Sequence, residues 1–149
     1  MTDYDQLAVD IRQWSRELGF ADAGISGVQL GEDEHHLNEW LAENQHGEMH
    51  YMAAHGSKRA RPAELIPGTL RVISVRMDYG TGDDEGAWRT LDEPDQAYVA
   101  RYALGRDYHE VVKGRLKLLA QWFAARATAK VKVFVDTAPL MEKPLAHLA

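Results

Sequence analysis

Cysteine is absent from the 149 residues. That excludes disulfides, cysteine-bound zinc and protein-ligated iron–sulfur clusters within the chain. Long apolar runs are missing too: none approaches the roughly 18 residues that a membrane-spanning helix needs. The N-terminus carries Asp3 and Asp5 and no apolar run, so no signal peptide is visible. The expectation is a cytoplasmic protein without a membrane partner. Several common motifs are lacking as well. There is no GxGxxG, no Walker loop, no GxSxG and no Cys/His pair, and Ser15, Ser26, Ser57 and Ser74 stand outside any nucleophile context.

What is present suffices for a folded domain. Apolar residues make up 45% of the chain, and this length can bury a sizeable core. The net charge of −6 hides an asymmetry. Residues 1–57 carry eleven acids against Arg12 and Arg16, a net of −9, whereas residues 101–132 carry eight bases against Asp107 and Glu110, a net of +6. A polyanion would therefore meet the second half. For any one of these bases a solvated helix face is the competing account.

The pattern predicts a first helix capped by Asp3 or Asp5 and reaching Leu18, with Leu7, Ile11, Trp14 and Leu18 on one stripe. Gly19 suits the left-handed position that ends such a helix. A short strand is expected over residues 20–25. A second helix over residues 33–44 is expected to pack through Leu37, Trp40 and Leu41, with its aromatic in the core. His46 and His50 lie four apart, the spacing of two ligands on one helix face, but Gly47 separates them and no Glu follows the first, so no metal site is expected. Lys58, Arg59 and Arg61 form a compact basic turn, and Pro62 keeps Arg61 extended. Such a turn suits a phosphate or carboxylate, or is simply an exposed charged loop.

Residues 70–77 read as a strand, with Ile73, Val75 and Met77 on one face. Residues 79–94, with Gly80, Gly82, Gly86 and five acids, read as a polar loop anchored by Trp88. Residues 98–109 gather three Tyr, two Arg, an Asp and a His. Asp107 can cap a long helix to about Ala127, its apolar face made by Val112, Leu116, Leu119 and Phe123. It delivers the chain to residues 131–135, where Val131, Val133 and Val135 alternate as in a half-buried strand. Strand, helix, strand in that order argues a crossover and hence an α/β fold with a small mixed sheet flanked by helices. The stretch stops on Asp136, placed where ligands bind in open α/β sheets. Asp136 either hands over a proton there or caps a helix beginning near Pro139.

Four stretches together resemble the epoxyqueuosine reductase family. They are His46-Gly47-Glu48-Met49 with Met52 and His55-Gly56; Arg59-Ala60-Arg61-Pro62 with Leu65, Pro67-Gly68-Thr69 and Val72-Ile73-Ser74-Val75; Arg101-Tyr102-Ala103-Leu104-Gly105-Arg106-Asp107-Tyr108-His109; and Phe134-Val135-Asp136-Thr137-Ala138-Pro139. Their order and spacing cover essentially the whole chain. The resemblance implies a cobalamin-binding N-terminal domain over residues 1–149, with a nitroreductase-like α/β fold as in reductive dehalogenases. It further implies a two-electron deoxygenation of epoxyqueuosine to queuosine in the anticodon loop of a tRNA. By motif match Asp136 is the proton donor, its pKa raised by burial, and Arg59, Arg101 and Tyr102 contact the cofactor. Arg106, Lys113, Arg115 and Lys117 are phosphate contacts by charge alone.

In that family a ferredoxin-like domain with two four-iron–four-sulfur clusters follows. This sequence has none of the cluster cysteines, so the expectation is a C-terminally truncated fragment, inactive by itself. The competing expectations are a non-catalytic module that grips tRNA or another partner through its basic half, and a flavin enzyme of the nitroreductase type.

Overall fold

A computed structural model describes residues 3–80 and 84–149. The chain divides into two compact units, the first made of residues 1–21 and 76–136, the second of residues 22–75 and 137–149. The expected α/β class holds, with six helices and a small sheet among the described residues.

In the first unit, helix α1 (Tyr4–Glu17) begins at Asp3, whose Oδ1 accepts from the Asp5 and Gln6 amides, both at 3.1 Å. This satisfies two of the donors that a helix start leaves open. Leu7, Ile11 and Ser15 recur every fourth residue and are buried. Trp14 lies at the edge of that stripe and meets Trp122 of helix α5 (Tyr108–Arg126) edge to face, with ring centroids 6.1 Å apart. Arg126 covers the Trp14 ring at 5.7 Å and reaches Asp10 at 3.4 Å, which ties the two helices at their rim.

Gly19 takes the left-handed conformation, φ +81°, and a Cβ there would stand 2.7 Å from the Arg115 guanidinium. That guanidinium donates to the Gly19 carbonyl at 3.1 Å and lies 3.3 Å from the Met77 sulfur. Glycine is therefore required twice over, by its backbone angle and by the close approach of Arg115. Arg115 closes the C-terminal end of α1, so the phosphate contact suggested by its charge gives way to a structural one.

Two expectations fail in this unit. Residues 79–94 are not simply a loop: helix α4 (Asp84–Asp92) occupies most of the segment. Thr90 spends its hydroxyl on the Gly86 carbonyl one turn back, at 3.0 Å, and Ala87, Arg89 and Leu91 are good helix formers. Trp88 is 68% exposed, so it anchors nothing. Gly82 lies outside the described residues. The second failure is residues 131–135, which join no ladder and bend at Val135, so the crossover unit does not form. Val135 is buried and Val133 half-buried, but Val131 is exposed and Phe134 is covered as much as Val133, so the expected alternation holds only in part. Alternation fixes which side chains face inward; a strand also needs a neighbour whose amides and carbonyls are free.

In the second unit, strands β1 (Asp22–Ser26) and β2 (Val72–Arg76) pair antiparallel as a two-stranded sheet. Helix α2 (Glu32–Ala42) starts at Gly31 and carries three acids in its first turn, which complement the positive end of its dipole. None of its side chains is buried. Leu37, Trp40 and Leu41 are only half-covered, which corrects their expected place in the core, and Trp40 leans on His46 with centroids 5.8 Å apart. The core instead joins Leu30, Ala60 and Leu145, with Val72, Leu140 and Met141 packed against them. Leu145 comes from helix α6 (Glu142–His147). That helix begins three residues after Pro139, at a cap position held by Met141, so Asp136 does not cap it. Short helix α3 (Pro62–Leu65) follows Arg61, which is extended as a residue before proline must be, with φ −123° and ψ 84°.

Candidate functional site

The chemistry in the first unit gathers where residues 98–109 meet the end of the 131–135 segment. Asp136 has φ +51°, one of two non-glycine residues with positive φ among those described. A side chain with a Cβ is held there only when its surroundings fix it, and such positions concentrate at functional sites. What fixes Asp136 is the Tyr108 phenol, which donates a short hydrogen bond to its Oδ2. The Asp136 carboxyl is exposed. The burial expected for Asp136 is therefore not supplied by these residues.

Tyr108 is the second residue after the turn at Arg106, and it starts α5 because Asp107 caps the helix by accepting from the His109 amide at 2.9 Å. The same Asp107 oxygen meets the His109 Nδ1 at 2.8 Å. These two contacts hold the Asp107 carboxyl below its usual range, the side-chain bond to His109 contributing most. The His109 ring in turn stacks on Tyr108 with centroids 4.0 Å apart, and Tyr102 approaches from the other direction, edge-on, at 5.9 Å. The phenol proton of Tyr108 is pushed up to about 12, first by its bond to Asp136 and then by burial and the negative charge of that carboxylate.

Tyr108 also forms part of the wall of a cavity of about 820 Å³ within the first unit. Tyr79, Tyr98, Arg101, Tyr102 and Arg106 contribute further to that wall. Phenol rings give it broad apolar faces, and the guanidinium groups give it donors. Arg101 and Tyr102 sit in a single 3-10 turn, Arg101–Ala103. The structure thus brings three of the expected residues, Asp136, Arg101 and Tyr102, into one unit, with Tyr108 common to the cavity and the carboxyl pair.

Arg59 belongs to the second unit. Its guanidinium donates to the Tyr51 carbonyl at 2.8 Å and the Met52 carbonyl at 3.1 Å, closing the 3-10 turn His50–Met52. Its own carbonyl accepts from the Met141 amide at 3.1 Å. Arg61 is likewise engaged, by Glu34 and Glu64, each at 2.9 Å. Its guanidinium pKa is raised, Glu34 being the larger cause, while Glu64 is lowered, first by the Ser57 hydroxyl and then by Arg61. Two cations of the basic turn are therefore already spent on neighbours. The His46 and His50 rings stand 6.3 Å apart, and no group of three or more His, Cys, Asp or Glu that could hold a metal occurs among the described residues.

Tyr108 and His109 are the residues that sequence reasoning passed over. Both lay in a segment already conspicuous for its tyrosines and charges. Their pairing with Asp136, 28 positions away, has no local signature.

Residues 59–137 match the family model described as epoxyqueuosine reductase QueG, DUF1730, more than half of the chain. The chain is 55% identical over 148 residues to the epoxyqueuosine reductase of Xanthomonas campestris pv. campestris and 56% identical to that of Pseudomonas aeruginosa, covering 99% of this chain and 42% and 41% of theirs. It is 50% identical to the Escherichia coli K12 enzyme, of which it covers 39%. It thus spans about two fifths of the length of these curated relatives. The crystal structure of a selenomethionine-labelled epoxyqueuosine reductase superposes over 97% of this chain and 38% of that one, with a TM-score of 0.75 and 19% identity, a likeness of fold. Among the described residues no helix is long and apolar enough to cross a membrane.

Proposed function

The chain belongs to the epoxyqueuosine reductase family, and on that premise we propose that residues 1–149 are the cobalamin-binding N-terminal part of an oxidoreductase converting epoxyqueuosine to queuosine in a tRNA anticodon loop. The observation that carries this is the family match over residues 59–137, which includes Asp136 and the whole tyrosine-rich segment.

The residues fit the cofactor. A corrin is a broad ring with apolar faces and an amide fringe. The cavity offers phenol faces and the donors of Arg101 and Arg106. Cobalamin, when bound, supplies the two electrons of the reduction. Arg101 and Tyr102 would hold it from the cavity wall. Asp136 gives a proton to the oxygen released when the epoxide opens, as an alkoxide at neutral pH requires. The nucleotide is splayed from its loop, and its flanking phosphates meet the exposed Arg106, Lys113 and Lys117. The iron–sulfur clusters implied by the resemblance do not fit this chain, which has no cysteine to ligate them; no step here runs through them.

The function is tested by grafting this chain in place of the matching 148 residues of the Pseudomonas aeruginosa relative, in a strain lacking its own enzyme. The chimera is expected to restore queuosine to tRNA. Persistent epoxyqueuosine with a folded, cobalamin-loaded chimera overturns the reading. A second measurement isolates the cofactor. Titrating the 149-residue chain with cob(II)alamin should give a saturable change in visible absorbance, weakened about tenfold in Arg101→Ala, the scale of one lost hydrogen bond to a charged group. A flat titration means that this chain does not hold cobalamin by itself.

A non-catalytic tRNA-binding module is the second reading, favoured by the net charge of +6 over residues 101–132. It predicts binding of tRNA with or without the modified base, falling steeply with salt, and no cobalamin spectrum.

A further inference from the structure

Removing an epoxide oxygen as water, to leave an alkene, takes two electrons and two protons. Both carbon–oxygen bonds break, a carbon–carbon double bond forms, and the same oxygen must be protonated twice. On the proposed reading, cobalamin supplies the electrons and Asp136 the proton. One carboxyl must therefore deliver in a fixed direction and be recharged between deliveries. The geometry around Asp136 says how.

Resting on that reading, we infer that Tyr108 is the positioning residue of the Asp136 carboxyl: its phenol holds Oδ2, so that Oδ1 is the oxygen that carries and delivers the proton. A carboxyl that accepts from Tyr108 through one oxygen cannot turn about its Cβ–Cγ bond without breaking that bond. The phenol is itself fixed on its other sides. His109 lies flat against it at 4.0 Å, Asp107 holds His109 at 2.8 Å, and Tyr102 meets its edge at 5.9 Å. Asp136, Asp107, His109 and Tyr102 are the titratable groups that face or brace the phenol.

Tyr108 is not the second proton source. A phenol pushed up to about 12 is a far weaker acid at neutral pH than one near the ordinary ~10. It keeps its proton and leaves it in the bond to Asp136. The second proton returns through Asp136, whose exposure in the chain lets it recharge from solvent. After each delivery the phenol steadies the carboxylate that remains, and this is the term by which it lowers the barrier.

The pair is tested first in the chain itself, by following tyrosine ionisation. Of the six tyrosines, Tyr108 should hold its proton to about 12, well above the ~10 of a free phenol. Tyr108→Phe should delete that late titration, and Asp136→Asn should bring it back towards the rest. A Tyr108 that titrates with the others in the native chain overturns the inference. In the chimera, Tyr108→Phe should lower kcat roughly tenfold, the loss of one hydrogen bond to a charged group, alter the pH profile and leave KM for tRNA unchanged. Full kcat and an unaltered profile in Tyr108→Phe, with Asp136→Asn inactive, would overturn the positioning role and leave Asp136 as the donor. Full activity in Asp136→Asn would instead remove the donor reading, whatever the titration shows.

Discussion

Asp136→Asn should lower the turnover of epoxyqueuosine by about 10²- to 10⁴-fold, the usual worth of a positioned general acid, while the protein stays folded and binds cobalamin as before. The substitution is chosen for its backbone. Asp136 sits at φ +51°, where asparagine is among the few residues with a Cβ that are tolerated. The Asn carbonyl can still accept from Tyr108, so the local hydrogen bond survives and only the transferable proton is lost. The expected signature is a fall in kcat with KM unchanged, because the proton is needed in the transition state and not to bind tRNA. Measured in the chimera by mass spectrometry of tRNA nucleosides, full turnover with cobalamin still bound would remove Asp136 from the chemistry. Asp136→Ala is the poorer probe. It adds the strain of a left-handed alanine, about 1–2 kcal/mol, and frees Tyr108 as well.

Helices were legible in the sequence where an apolar stripe and a capping side chain coincided. Asp3 before α1 and Asp107 before α5 both cap as their positions suggest, and Gly19 ends α1 left-handed. Legibility failed where a local pattern allowed two outcomes. Residues 131–135 alternate as a strand does, yet a ladder depends on a neighbour that no local pattern announces. Residues 79–94 are rich in glycine and acid, yet Asp84–Asp92 form a helix, because a helix this short draws its stability from packing and Gly86, Ala87 and Thr90 are half-covered.

The site shows the same division. Asp136 was marked by its motif, and the structure adds a strained backbone and a partner. Arg59 was marked by charge, yet its guanidinium closes a turn through the Tyr51 and Met52 carbonyls. A basic residue in sequence states a charge; only the fold states which acceptor it meets. Tyr108 stood inside a motif stretch with no role assigned to it, and its role became visible only when α5 set its phenol against a carboxyl 28 residues on.

Leu145→Ala should destabilise the chain by about 2–5 kcal/mol, the range for a buried leucine cut to alanine. Leu145 is 1% exposed and is the largest fully buried side chain described. The core that it completes is small. Leu30 and Ala60 are the other buried members, with Val72, Leu140 and Met141 only partly covered. A core this thin has few atoms that can move into the space left behind, which places the expected cost above the low end of the range. Against a total stability of about 5–15 kcal/mol, that is enough to move the urea midpoint markedly. Leu148→Ala, three residues on but 50% exposed, should stay within about 0.5 kcal/mol and serves as the control. Equal midpoints for the two variants would mean that α6 does not close this core. The consequence reaches the turn that holds Arg59. Its carbonyl is bound by the Met141 amide at the start of α6, so a loosened α6 should release that turn first. Amide exchange in Leu145→Ala is therefore expected to rise at Met141 and across residues 57–61 before it rises at β1 and β2.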